Sequence, residues 1–213
     1  MRAVNDRCCF EREACARGYR RVAGIDEAGR GPLAGPVIAA AVILPPDYQD
    51  PEINDSKTLT SRQRERLYEV IQRDAIAIGI GVVEAATIDT LNILRATMAA
   101  MKEAVIALVP QPDYLLIDGL YGIPLAIPQQ TIVRGDGQSI SVASASIMAK
   151  VSRDRIMEMY HRQFPQYNFL HNKGYATREH REAIVKYGRC KIHRNTFRIA
   201  AVDDLYVNAS LEF

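Results

Sequence analysis

Val22-Ala23-Gly24-Ile25-Asp26-Glu27-Ala28-Gly29-Arg30-Gly31 is the stretch from which the rest of the chain can be read. Val22–Ile25 is a short apolar run of the kind that forms a buried strand. Two adjacent carboxylates follow it, Asp26 and Glu27, and they repel each other unless a positive charge lies between them. Hard carboxylate oxygens suit a divalent cation such as Mg²⁺ or Mn²⁺. In Gly29-Arg30-Gly31 the glycines let backbone approach a ligand closely, and the guanidinium seeks phosphate. One decapeptide combines a strand end, a metal-seeking pair and an anion-seeking turn.

The flanking sequence supplies a fold for this stretch. Arg20–Ile25 and Pro36–Leu44 read as strands joined by the Gly/Pro-rich turn at 29–36. Pro45-Pro46-Asp47 ends the second, and the polar loop over 47–58 carries Asp55-Ser56-Lys57. Thr60 or Ser61 caps a helix that runs to about Arg73, and Ala75–Val83 reads as a third strand. Thr87–Val109 reads as one long helix, capped near Thr87 and Asp89 and closed by Pro110. Tyr114–Asp118 and Gln130–Arg134 are short strands that close on glycine. A long helix follows from about Gln138 to Gln163, and the last clear helix spans roughly Thr177–Tyr187. This order predicts an α/β fold, a mixed β-sheet flanked by helices with a helical C-terminal region. The expected divisions are an N-terminal extension over 1–19, a catalytic domain over 20–165 and a C-terminal region over 166–213 that completes the substrate surface.

Two further strand ends repeat the logic of the first. Asp118 ends Leu115-Leu116-Ile117-Asp118, and Asp136 sits between glycines just before a helix. Asp118 alone is a turn residue more often than a ligand, and Asp136 alone is also a good turn residue or helix N-cap. Ligand sites in α/β sheets gather at strand ends, so the three places together predict four converging carboxylates. Such a set is held together by cations, and two ions about 3.5–4 Å apart can clamp a phosphodiester.

Charge and composition narrow the partner. Between Lys150 and Arg198 there are twelve Lys and Arg against four Asp and Glu, a balance of +8 in a chain whose net charge is +2, which leaves −6 for the rest. A basic C-terminal third beside an acidic remainder suits a polyanion, although a solvated helical face has the same composition. Four cysteines without paired C-x-x-C spacing argue against a disulfide framework or structural zinc, and fit reduced thiols in a cytoplasmic protein. The charged N-terminus has no signal-peptide core, and the longest apolar run, Val37–Leu44, is too short to span a membrane. No Ser/His or Cys/His constellation for a side-chain nucleophile is evident.

The motifs resemble those of ribonuclease HII, the type 2 ribonuclease H family. They run in order from Arg21 to Phe197: Gly24–Gly31, then Asn54-Asp55-Ser56-Lys57, Asp118-Gly119 and Gly135-Asp136. Ser144-Ala145-Ser146-Ile147-Met148-Ala149-Lys150-Val151-Ser152-Arg153-Asp154 follows, then Lys173-Gly174-Tyr175-Ala176-Thr177 and His193-Arg194-Asn195-Thr196-Phe197. The chain departs from the usual pattern at Asn172, Ala176, Cys190–Ile192 and Thr196. The resemblance implies a ribonuclease H-like fold. It implies hydrolysis of the RNA strand of RNA/DNA hybrids, and nicking of duplex DNA 5′ of embedded ribonucleotides, with two Mg²⁺ or Mn²⁺ ions. It implies that Asp26, Glu27, Asp118 and Asp136 bind metal. It also implies that Gly29, Arg30 and Gly31 contact the ribose 2′-OH and that Tyr175 packs on the next sugar. A 2′-OH is what distinguishes RNA from DNA locally.

Lys57, Ser144, Lys150, Arg153, His193 and Arg194 are the candidate contacts to phosphate, although Lys57 also reads as a surface lysine, Ser144 more readily as helix–sheet packing, and His193 equally as a satisfied structural histidine. Lys150 and Arg153 are three apart and share a helix face. A monomer is expected, with a sliding-clamp contact as an open option. Two other readings compete: another nuclease of the same fold acting on structured DNA, and a non-catalytic hybrid-binding protein. The pairing of Gly29–Gly31 with Tyr175 argues against the first, and the intact carboxylates against the second.

Overall fold

The computed structural model describes residues 7–198. Five strands form one mixed sheet in the order β3-β2-β1-β4-β5. They are β1 (Val22–Ala28), β2 (Val37–Ile43), β3 (Ala77–Val83), β4 (Tyr114–Asp118) and β5 (Gln129–Ile132). The turn between β1 and β2 reverses the chain, so β1, β2 and β3 are antiparallel. β4 and β5 run parallel to β1.

Seven helices accompany the sheet among the described residues: α1 (Cys9–Ala16), α2 (Ser61–Asp74), α3 (Ala85–Leu91), α4 (Ile93–Ile106), α5 (Ile140–Gln163), α6 (Phe169–Asn172) and α7 (Arg178–Tyr187). Strand alternation assigns the two faces of the sheet. Ala23, Ile25, Ala39, Ala41, Leu115 and Ile117 pack against Ile88 of α3 and Ala96, Ala100, Met101 and Ala104 of α4. Ala40 and Val42, on the opposite face, meet Leu67 and Ile71 of α2 and Ala143 and Ile147 of α5.

α5 is the central element. Every residue from Ile140 to Ala149 is buried, because the sheet lies on one side and α2 on the other. The helix touches the β1 backbone directly: a Cβ on Gly24 would lie 2.1 Å from the Ser141 carbonyl carbon. The N-terminus of α5 is closed by the segment around α1. Glu11 accepts from the Ser139 hydroxyl at 2.6 Å and the Ser141 N–H at 3.0 Å, and the Ile140 N–H donates to the Arg7 carbonyl. A carboxylate there satisfies free amides and complements the helix dipole. A third cluster, including Leu33, Ala34, Met157, Tyr167, Phe169 and Ile184, joins α6, α7 and the second half of α5 to the β1–β2 turn.

Several boundaries differ from the sequence expectation. The single helix over Thr87–Val109 is two helices, broken at Asn92 (φ +70°), whose side chain accepts from the Arg95 N–H and caps α4. An Asn tolerates the left-handed conformation and then serves as an N-cap. Asp89 is not a cap; it accepts the Asn195 and Thr196 N–H groups of the C-terminal segment. β1 continues through Asp26 and Glu27, and β5 stops at Ile132, where left-handed Arg134 leads into a 3₁₀ turn over Gly135–Gly137. Ser139 caps α5. Residues 1–6 of the expected N-terminal extension and 199–213 of the expected C-terminal region lie outside the described residues.

Candidate active site

Parallel pairing of β1 with β4 places Ile25 opposite Ile117, so the next residue of each strand, Asp26 and Asp118, stands at adjacent positions where that pairing ends. Asp26, Glu27 and Asp118 each offer an oxygen, and these atoms lie within 4.8 Å of one another. The Asp26 carboxylate accepts the Glu27 N–H at 2.7 Å and the hydroxyl of Ser146 from α5. Glu27 receives the Arg30 guanidinium at 3.2 Å. Asp118 accepts the Gly135 N–H at 2.6 Å, which draws the Gly135–Gly137 turn, and Asp136 within it, to the end of β4. Asp136 is buried, and its Oδ2 lies 3.3 Å from Lys57 Nζ. All four expected carboxylates arrive at one end of the sheet, three as a tight cluster and the fourth beside Asp118.

This cluster is electrostatically unsatisfied. Burial, together with Glu27 and Asp118, holds the Asp26 carboxyl well above the usual carboxylate range. Burial also raises Glu27 against the pull of Arg30, and raises Asp118 against the Gly135 N–H. Lys57 is held above its ordinary value: burial opposes this, but the Asp136, Asp26 and Asp55 carboxylates together outweigh it. Against four carboxylates stand the ammonium of Lys57 and the guanidinium of Arg30. Hard oxygen donors, close spacing and a residual negative charge fit divalent cations of the Mg²⁺ or Mn²⁺ kind.

The carboxylates open onto a cleft of about 800 Å³, solvent space included, that is lined further along by Gly29–Gly31, Ser56, Lys57, Arg64, Lys150, Arg153 and Tyr175. One end is acidic and the remainder basic, as a site for metal plus phosphate requires. Gly29 (φ +97°) has its missing Cβ directed at the Arg153 side chain and the Pro36 carbonyl, so its smallness makes room for Arg153 rather than for a ribose. Gly31 does face open space, with Tyr175 Cε1 3.7 Å from where its Cβ would be. Tyr175 is half-exposed and Arg30 exposed, both free to meet a ligand.

Four expected phosphate contacts need correction. Ser144 is fully buried and donates to the Ile140 carbonyl inside α5. Arg153 is 1 % exposed and donates to the Pro36 and Ala34 carbonyls. Arg194 is completely buried and donates to the carbonyls of Gly29 (2.6 Å), Arg30 (2.9 Å) and Gly35 (3.0 Å). His193 is buried against His180. The two guanidiniums are tethers that shape the 29–36 turn from behind. Lys150 is at the cleft, half-buried and paired with Asp154 at 2.6 Å. The residues missed were Ser56 and Ser146, whose hydroxyls share a 2.8 Å hydrogen bond beside Asp26, and Arg64, which donates to the Ser56 carbonyl. Ser144 and Ser146 are about 200° apart around a helix, so only one can face the strand ends.

Known proteins are similar to this chain in sequence and in fold. Residues 23–200 match the ribonuclease HII family. A ribonuclease HII from Syntrophus aciditrophicus is 69 % identical over 190 residues, 89 % of this chain and 90 % of that protein. Ribonuclease HII in a complex with PCNA from Archaeoglobus fulgidus superposes with a TM-score of 0.71 at 25 % identity, covering 86 % of this chain and 99 % of that one. The ribonuclease H2 of Pyrococcus horikoshii shares the fold, with a TM-score of 0.73 at 24 % identity over 88 % of this chain and 99 % of its own. The chain belongs to the ribonuclease HII family, divalent-metal-dependent endonucleases that cut RNA in RNA/DNA hybrids and at ribonucleotides within DNA.

Proposed function

We propose that Asp26, Glu27, Asp118 and Asp136 hold two divalent ions, Mg²⁺ or Mn²⁺, and that the cleft beside them reads an RNA-to-DNA junction. The observation that carries the reading is the convergence of three strand-end carboxylates within 4.8 Å next to a glycine turn facing Tyr175. Bound divalent cations supply activation of water and stabilisation of charge at the phosphodiester. The chain's own residues do the rest. Ser146 and the Glu27 N–H hold Asp26 in place, and the Gly135 N–H holds Asp118. Lys57, beside Asp136, and exposed Arg30 would take up phosphate oxygens. Products carry a 5′-phosphate and a 3′-hydroxyl.

Discrimination falls to the Gly29–Gly31 backbone and Tyr175. A ribose 2′-OH both donates and accepts, so adjacent backbone groups in a turn can satisfy it where a deoxyribose leaves them unpaired. The tethers from Arg194 to the Gly29 and Arg30 carbonyls hold that turn in one shape. The Tyr175 ring packs on the following sugar, best where no 2′-OH protrudes. We take a cytoplasmic monomer as the working unit. No helix among the described residues is long and apolar enough to cross a membrane. A sliding-clamp contact rests only on the Archaeoglobus fulgidus complex.

Rates on a duplex with one ribonucleotide and on a long hybrid test the reading. Tyr175→Ala is expected to lose about ten- to a hundredfold on the single ribonucleotide, the value of roughly 1–3 kcal/mol of aromatic contact, and much less on the hybrid. Equal loss on both substrates makes Tyr175 a packing residue.

A further inference from the structure

Behind Tyr175 lies a buried pair of imidazoles that no catalytic step above employs. His180, in the first turn of α7, is fully buried, and His193 is 3 % exposed. Their Nε2 atoms face each other at 3.0 Å. His180 Nδ1 lies 2.8 Å from the Tyr175 carbonyl oxygen, and His193 Nδ1 lies 2.9 Å from the Cys190 backbone nitrogen.

With both rings neutral, one proton arrangement satisfies this row. A carbonyl oxygen only accepts, so His180 Nδ1 carries a proton and donates to Tyr175. In a neutral ring, Nε2 of His180 is then an acceptor, and His193 must donate from its own Nε2. His193 Nδ1 is left as an acceptor, and the Cys190 N–H donates to it. The Cys190 carbonyl, 3.3 Å from the same Nδ1, competes only if His193 is charged or has the other tautomer, which sets two Nε2 lone pairs face to face. Burial lowers both imidazoles, His193 to about 4. Around them Arg189 lowers His193, and Tyr167 and Phe169 pack their rings against the pair, which favours neutral rings, while Glu179 of α7 pulls the other way and raises His180. Burial also raises the Cys190 thiol, 3.1 Å from His193.

We propose that His180 and His193 are positioning residues for substrate reading: a one-way hydrogen-bond chain from Cys190 through His193 and His180 fixes the Tyr175 backbone, and with it the ring that faces the ribose turn. The proposal rests on the junction-reading role of Tyr175 given above. Two neighbouring contacts fit it. The Leu33 N–H donates to the Gly174 carbonyl at 2.8 Å, and Ala34 pairs with His193 as an isolated bridge. The chain therefore links Tyr175 and the β1–β2 turn through one buried block. Because its direction is set by which ring nitrogen holds the proton, charging His180 with His193 unchanged would bring two N–H groups together between the rings and disturb the row that ends at Tyr175.

Two measurements on the full chain test this. Nitrogen NMR of histidine-labelled protein at neutral pH should find His180 protonated on Nδ1 and His193 on Nε2; His180 protonated on Nε2, or either ring charged, overturns the chain. In kinetics, His180→Ala should lower kcat/KM on a single embedded ribonucleotide about tenfold more than on a long hybrid. His180→Asn, whose amide can donate where Nδ1 did, should recover most of that selectivity. In a Tyr175→Ala background His180→Ala should cost no further selectivity. Selectivity unchanged in a folded His180→Ala, or Asn no better than Ala, overturns the positioning role. If His180→Ala does not fold, His180→Asn and the tautomers decide. Loss of selectivity in Tyr175→Ala without loss in the His180 variants refutes the positioning alone. No loss in Tyr175→Ala refutes the reading on which it rests.

Discussion

Replacing Asp26 with Asn removes the most buried charge of the carboxylate cluster while keeping its shape. The Asn carbonyl still accepts the Glu27 N–H, and the Ser146 hydroxyl can turn to accept from the new amide. What disappears is repulsion. Two like charges no more than 4.8 Å apart repel by at least about 3.5 kcal/mol at an effective dielectric of about 20. Protonation of Asp26 already relieves part of this, so the net gain for metal-free protein is about 1–3 kcal/mol, or roughly 2–10 °C in Tm. The pH dependence follows from the direction of the shift. Asp26 has a folded pKa above its unfolded one, so its protonation supports the fold below about pH 4, and that support is lost as pH rises through the folded value. The advantage of Asp26→Asn is therefore small in acid and grows toward neutral pH. The assay is thermal unfolding of both proteins in EDTA across this range, repeated with Mg²⁺ or Mn²⁺. Wild type should gain stability from the metal by mass action, and the variant much less. A lower Tm for Asp26→Asn in EDTA at pH 7, or a difference that shrinks as pH rises, refutes the reasoning.

Gly24→Ala should destabilise the protein by about 3 kcal/mol in denaturant unfolding, since its Cβ would collide with the α5 backbone at Ser141; a loss under about 1 kcal/mol would mean the helix shifts freely. Arg194→Met leaves three carbonyls of the 29–36 turn unpaired, so it should cost about 3 kcal/mol of stability and raise KM for ribonucleotide-containing duplex, measured by melts and initial rates. Unchanged kinetics in that variant would free the turn from its tether.

Asp26, Glu27 and Asp118 were legible because they end apolar runs, a pattern that survives without knowledge of neighbours, and Asp136 because glycines flank it just before a helix. Their convergence depends on parallel pairing of β1 with β4, and the residue order alone does not state which strands are adjacent. α5 hid its orientation for a physical reason: wedged between sheet and helix, it is buried on all sides over Ile140–Ala149 and has no polar face to point with. Hence the expectation falls on Ser144, whereas it is Ser146 that faces Asp26. Arg153, His193 and Arg194 misled because a basic residue near a motif looks the same whether it meets phosphate or backbone carbonyls; only burial separates the two. The break at Asn92 was masked by helix-favouring residues on both sides, and the distant partner of Asp89 lies over a hundred positions away.

The most direct test of the account is cleavage of a DNA duplex carrying one ribonucleotide, by wild type and Asp118→Asn, with and without Mg²⁺. Wild type should nick once, 5′ of the ribonucleotide, only with metal present, leaving 3′-hydroxyl and 5′-phosphate ends. Asp118→Asn should bind the uncut duplex in Ca²⁺ at least as tightly as wild type and lose several orders of magnitude in rate. Cleavage by Asp118→Asn near the wild-type rate, or cutting by wild type without a divalent ion, would contradict the assignment of these carboxylates as the metal site.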